Sequence, residues 1–131
     1  MTWRTLLSAL TLALPSVSLA VPDETPVTGI YSDLKLNSES NDLSGIELVV
    51  LPGPGDMPSW RVLVEICEGG GPYSALVPLK PVGDHFEFTV PSDGVFPRTH
   101  FVVRFSAAEA ILSGYPNKET RHLVRGKSYW E

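Results

Sequence analysis

From residue 29 onward, apolar and polar residues alternate with a period of two, in short runs separated by Gly, Pro, Asn and Asp. That period belongs to strands with one buried and one wet face. GIYSDLKL sets Ile30, Leu34 and Leu36 on one face and Tyr31, Asp33 and Lys35 on the other. After the turn NSESND, GIELVVLP groups Ile46, Leu48 and Val50. The proline-rich PGPGDMP leads to WRVLVEIC. There Trp60, Val62, Val64 and Ile66 point inward and Arg61, Glu65 and Cys67 outward, with Leu63 an exposed apolar exception. EGGGP turns the chain into YSALVPLK, with Tyr73, Ala75, Val77 and Leu79 together. Pro78 lacks an amide donor, which places this strand at an edge or on a bulge. HFEFTV turns Phe86, Phe88 and Val90 inward, and THFVVRF does the same with Phe101, Val103 and Phe105. SAAEAILSG is too short before Gly114 for a helix and reads as a seventh strand. RHLVRGKSYW reads as an eighth, running almost to the C-terminus.

About eight antiparallel strands with short connections predict an all-β domain, an up-and-down meander closed or nearly closed into a small barrel. A β-sandwich is the alternative. Closure removes the unpaired edges that recruit other chains. The last strand, with Tyr129 and Trp130, is expected beside the first, near Tyr31. A barrel of this size is filled by its own side chains or holds one small ligand, and the inward Phe, Val and Leu favour filling.

The first twenty residues break the pattern. Arg4 precedes an apolar stretch from Leu6 to Leu14, too short to cross a bilayer, where about 20 residues are needed. Pro15 and the small residues Ser18 and Ala20 complete the layout of a secretory signal peptide. The expected organisation is a signal peptide at 1–20, a polar leader at 21–28 and one barrel domain at 29–131, exported to the periplasm or secreted. Removing Arg4 takes the formal charge from −5 to −6. An acidic chain suits neither nucleic acid nor an anionic membrane surface. A basic protein partner fits, and no membrane insertion is expected after cleavage. With one cysteine, no disulfide within the chain can brace the fold.

Candidate chemistry is sparse. VEICEGGGPY lacks the Lys-Ser/Thr and helix of a phosphate loop, and Pro72 has no amide to offer. Cys67 has Glu65 and Glu68 for neighbours, and negative charge opposes a thiolate. A partly exposed strand-end residue, with an intermolecular disulfide as a further option, is the expectation. His85, His100 and His122 show no HxH, HExxH or CxxC spacing, so no metal or other cofactor is expected. There is no GxSxG elbow for a serine nucleophile. Acid pairs such as Asp23 with Glu24, or Glu65 with Glu68, read as solvated surface. Ser113 and Tyr115 in SGYP, and Lys127, Tyr129 and Trp130 in KSYW, are the binding candidates, since Tyr and Trp anchor interfaces. Aromatics in a terminal strand more often serve closure packing.

GIYSDLKLN, DLSGIEL and RGKSYWE resemble a set of small exported bacterial proteins of unknown function, across nearly the whole chain after the leader. That resemblance implies no activity. In size, export and architecture the chain is also similar to periplasmic lysozyme inhibitors, some of which insert an SGxY loop into the lysozyme cleft. Here Ser113-Gly114-Tyr115 lacks the intervening residue, and the cysteine pairs are absent. The leading expectation is an exported, non-enzymatic binding protein acting through loops and outer wall, on a protein partner or a small ligand. The alternatives are a lysozyme inhibitor, a structural envelope protein, and a small hydrolase using a histidine and a carboxylate at the barrel mouth.

Overall fold

The computed structural model describes residues 27–56, 59–69, 71–114 and 119–131. The signal-peptide segment and most of the leader lie outside them. The described chain is all-β, with nine antiparallel strands: β1 (Gly29–Ser32), β2 (Lys35–Leu36), β3 (Leu43–Pro52), β4 (Trp60–Glu68), β5 (Tyr73–Val82), β6 (His85–Val90), β7 (Thr99–Phe105), β8 (Glu109–Ser113) and β9 (Arg121–Gly126). Each strand pairs with the next from β3 to β9. The four residues of β1 then pair with β9 on one side and β3 on the other, which closes the barrel. β2 adds a short extension along the edge of β3.

The inward faces of β3 to β7 are those the alternation predicts. Ile46, Leu48, Val62, Val64, Val90, Phe101, Val103, Leu112 and Leu123 are buried and fill the interior. Full burial of one such side chain contributes about 1.5–3 kcal/mol. Phe88 and Phe101, directly opposed on β6 and β7, stack at 5.1 Å. At one end Trp60, Phe86, Phe105 and Tyr31 form an aromatic chain with successive centroid separations of 5.5, 5.5 and 4.9 Å. The Arg125 guanidinium lies 5.7 Å from the Tyr31 ring, a cation over a π face. Burial pushes the Tyr31 phenol up, with Arg125 opposing, and its hydroxyl donates to the Val27 carbonyl.

The two terminal runs differ from expectation. In the first, the buried face is that of Tyr31, fully enclosed, while Leu36 is exposed. Closure decides this, because Tyr31 sits opposite both Leu48 and Arg125 and must share their inward face. In the last, the strand ends at Gly126. Residues beyond it leave the sheet, so Tyr129 and Trp130 do not pair beside Tyr31. Leu63 is half-buried rather than exposed, and Cys67, expected partly exposed, is only 2 % exposed. Pro78 falls outside the short β5–β6 register, Lys80–Val82 against His85–Glu87, so its missing amide breaks no rung there.

The seam is held by one carboxylate. Asp33 donates its backbone amide to the Ile46 carbonyl, and Asp33 Oδ1 accepts the Ile46 amide at 2.7 Å. Its Oδ2 takes the Arg121 guanidinium at 2.8 and 2.7 Å. A single side chain thereby joins the end of β1 to β3 and to β9. Gly45 makes room for this crossing. A Cβ there would stand 2.7 Å from the Asp33 carbonyl and 2.9 Å from Leu34 Cα, at φ +123°. Gly45→Ala should therefore lower stability by about 2–4 kcal/mol in urea unfolding. Gly71→Ala, with nothing within 4 Å and an ordinary φ, should change it by less than about 0.5 kcal/mol.

Candidate functional site

Alternating strand direction sends the connections β2–β3, β4–β5, β6–β7 and β8–β9 to the same end of the barrel, opposite the aromatic chain. Two of them build a cleft. In the β6–β7 loop, Asp93 Oδ1 accepts the amides of Val95 at 2.9 Å and Phe96 at 2.6 Å, an Asx arrangement that local sequence favours in Ser-Asp-Gly. The turn pushes Phe96 into the barrel mouth, where it stacks on Tyr73 at 5.0 Å and 24°. It also lifts Val95 into solvent, 94 % exposed. The Tyr73 hydroxyl donates to the Pro91 carbonyl and ties the loop to β5. Between this loop and the β4–β5 turn lies a cleft of about 370 Å³, lined by Ile66, Glu68, Tyr73, Asp93, Val95 and Phe96 among others. A second hollow of about 430 Å³ lies beside the same loop, against Thr89, Pro91, Ser92 and Arg98.

The electrostatics of the cleft follow from that geometry. The Phe96 amide, then the Val95 amide, hold the Asp93 carboxyl below its ordinary range. It is therefore ionised at neutral pH. Burial, with the Asp93 charge, pushes the Tyr73 phenol up, so its hydroxyl stays a neutral donor. The cleft combines an apolar, aromatic floor with negative walls.

The histidines lie on the outer wall. His85 Nδ1 and Nε2 pair with Asp84 Oδ1 at 3.1 Å and Glu87 Oε1 at 3.0 Å. His100 Nε2 reaches Glu87 Oε2 at 3.3 Å, and its Nδ1 reaches Thr89 Oγ1 at 2.9 Å. Arg104 approaches Asp84 at 3.7 Å. Two imidazoles thus share one carboxylate, but neither lines the clefts above. His122 stands apart with Glu109 at 3.0 Å. Among the described residues, no three His, Cys, Asp or Glu side chains are grouped to hold a metal ion.

The tail candidates are engaged by the chain itself. Glu47 and Glu65 sit directly opposite each other on β3 and β4, a like-charge pair that needs donors. Glu47 is 1 % exposed. It accepts the Ser128 hydroxyl at 2.6 Å and the Tyr129 amide at 2.9 Å. Glu65 accepts the Trp130 indole N–H at 2.6 Å. Tyr129 and Trp130 keep 40 % and 52 % of their surface exposed, and Lys127 is exposed. Cys67 shares the outer face with both acids. Burial, then the charges of Glu65 and Glu47, push its thiol up, so a bridge to another chain would first require uncovering it.

Ser113 is half-buried and donates to the Val102 carbonyl at 3.5 Å. Gly114 is required by close packing, since a Cβ would meet the His100 carbonyl at 2.3 Å, at φ +108°. Tyr115 lies outside the described residues. Asp93, Val95 and Phe96 carry no signal as a binding site in a sequence reading. PSDGVFPR advertises a turn, and only the closed barrel sets that turn beside EGGGP.

Comparisons with protein-family models, with curated proteins and with solved structures found no match.

Two outcomes follow from the outer wall. The bond to Glu87, then that to Asp84, raises His85 above its ordinary value of 6.5, and the bond to His85 lowers both Asp84 and Glu87. The histidine's contribution to stability is full below 6.5 and is lost as pH rises through its raised folded value. The acids' contribution is lost as pH falls through their lowered values. NMR titration of His85 should give a midpoint above 6.5, moved down by Glu87→Gln. Separately, removal of Ser128–Glu131 should raise the rate of Cys67 modification by a thiol reagent at least about tenfold, through local opening.

Proposed function

We propose that the chain is an exported, non-enzymatic binding protein that holds a protein partner against the loops at one end of its barrel. The observation that carries this reading is the contrast between a side-chain-filled interior and a cleft at the loop end with Val95 almost wholly exposed beside it. A filled barrel leaves recognition to its surface. An apolar residue presented on a turn braced by Asp93 is a rigid contact, with little conformational entropy left to lose on binding. The N-terminal signal pattern supports export. The stretches GIYSDLKLN and RGKSYWE support a place among small exported bacterial proteins. Inhibition of a basic lysozyme is one specific form of the proposal, favoured by the acids Glu39, Asp42, Glu68 and Asp93, all exposed at the loop end and suited to steering a basic partner.

The outer-wall network motivates a hydrolytic reading as the rival, since Glu87 orients two imidazoles. Loss of any measured esterase activity in Glu87→Gln would favour it.

The test is affinity capture from envelope extract and from a panel of lysozymes. A specific partner should be retained by the native protein, lost with Val95→Asp, and retained with Val124→Asp, which places the same charge on the exposed face of β9, away from the loop. Equal retention by both variants would overturn the loop-end assignment.

A further inference from the structure

The loop-end cleft has a chemistry that selects among partners. Its floor is the stacked pair Tyr73 and Phe96 with Ile66, and its walls carry the carboxylates of Asp93 and Glu68. Its volume of about 370 Å³ is near the low end of the roughly 300–1,000 Å³ typical of small-molecule pockets. It suits one long side chain better than an extended ligand. An anion would meet negative walls, and an apolar side chain would cover the exposed Asp93 carboxylate at a desolvation cost. A bare metal ion would make no use of the aromatic floor. The group that satisfies both features is a cation on an aliphatic stem. A planar guanidinium does so best, because it stacks on aromatic faces and bonds carboxylates along its edge.

Resting on the proposed binding role, we infer that the cleft between the β4–β5 turn and the β6–β7 loop receives an arginine side chain of the protein partner. Its guanidinium pairs with Asp93, its stem lies along Tyr73 and Phe96, and Glu68 adds to the negative field. The two loop amides that Asp93 binds both use Oδ1, so Oδ2 takes part in neither bond. Val95, at the rim, covers the bound stem from solvent. The acids Glu39 and Asp42 on the β2–β3 turn at the same end of the barrel extend the negative surface beyond the cleft and favour a basic epitope around the arginine.

The test uses the purified protein with N-acetyl-arginine-N-methylamide as probe, and with the N-acetyl-lysine and N-acetyl-glutamate analogues as comparators. Saturable amide shifts at Tyr73 and Val95–Phe96 are expected with the arginine probe, weaker ones with lysine and none with glutamate. Asp93→Asn keeps the Oδ1 acceptor that braces the loop. It should weaken arginine binding at least about tenfold, the usual scale for removing one partner of a charge-assisted pair. Glu68→Gln should weaken it less. With a captured partner in hand, the arginine probe should displace it and the glutamate probe should not. Absent shifts, or shifts equal in native protein and Asp93→Asn, overturn the inference. A partner lost with Val95→Asp but not displaced by the arginine probe also overturns it, while leaving the loop-end binding role standing. Failure to retain any partner strikes that role itself.

Discussion

Closure through β1 is the constraint on which the rest of this structure depends. A sheet of seven consecutive strands has two open edges, and four residues must satisfy both at once. A ladder that short cannot define its own position. Asp33 supplies what is missing, bonding the Ile46 amide on one side and the Arg121 guanidinium on the other. Gly45 is the sterically matched half of the arrangement, since any side chain would occupy the space of the Asp33–Leu34 backbone. At the other end of β1, Arg125 donates to the Thr28 carbonyl and covers Tyr31, so both ends of the closing strand are tied to β9 by an arginine.

Once the seam is closed, the interior is committed to packing. Tyr31 joins the aromatic chain at one end, and Phe96 with Tyr73 fills toward the other. Polar chemistry is displaced to the outer wall and the loop rim, where two unlike arrangements result. On β3 and β4 an acid pair is satisfied by the chain's own tail, a structural use of residues that looked free for recognition. On β6 and β7 Glu87 is shared by two histidines in partial contact with solvent. The loop-end cleft differs from both, because its carboxylates stand beside the partly exposed Tyr73 ring and the exposed Val95.

Much of the architecture is legible from alternation alone. The inward positions of β3 to β7 follow from a period of two, because neighbouring side chains on a strand must point to opposite faces. The strand assignment of SAAEAILSG follows from its length. The first and last runs are not legible in the same way. GIYSDLKL offers a plausible apolar face in Ile30, Leu34 and Leu36, and only pairing to two strands at once forces Tyr31 inward. RHLVRGKSYW carries strand-forming residues to its end. Yet Glu47 and Glu65, more than sixty positions earlier, draw Ser128, Tyr129 and Trp130 off the sheet. No local signal announces an acid pair that needs donors, since its two members become neighbours only when β3 and β4 pair.

VEICEGGGPY shows where the division falls. By itself the sequence determined that its apolar residues are strand core, that its glycines are a turn, and that its cysteine sits among acids. It also determined an all-β chain of about eight strands and the absence of any local catalytic motif, because these depend on residue type and period. The tertiary structure alone decided that Cys67 is buried, that Asp33 holds the seam, and that the EGGGP turn faces Asp93 and Val95 across a cleft. Those outcomes depend on which distant segments closure brings side by side, and a one-dimensional pattern carries no record of that distance.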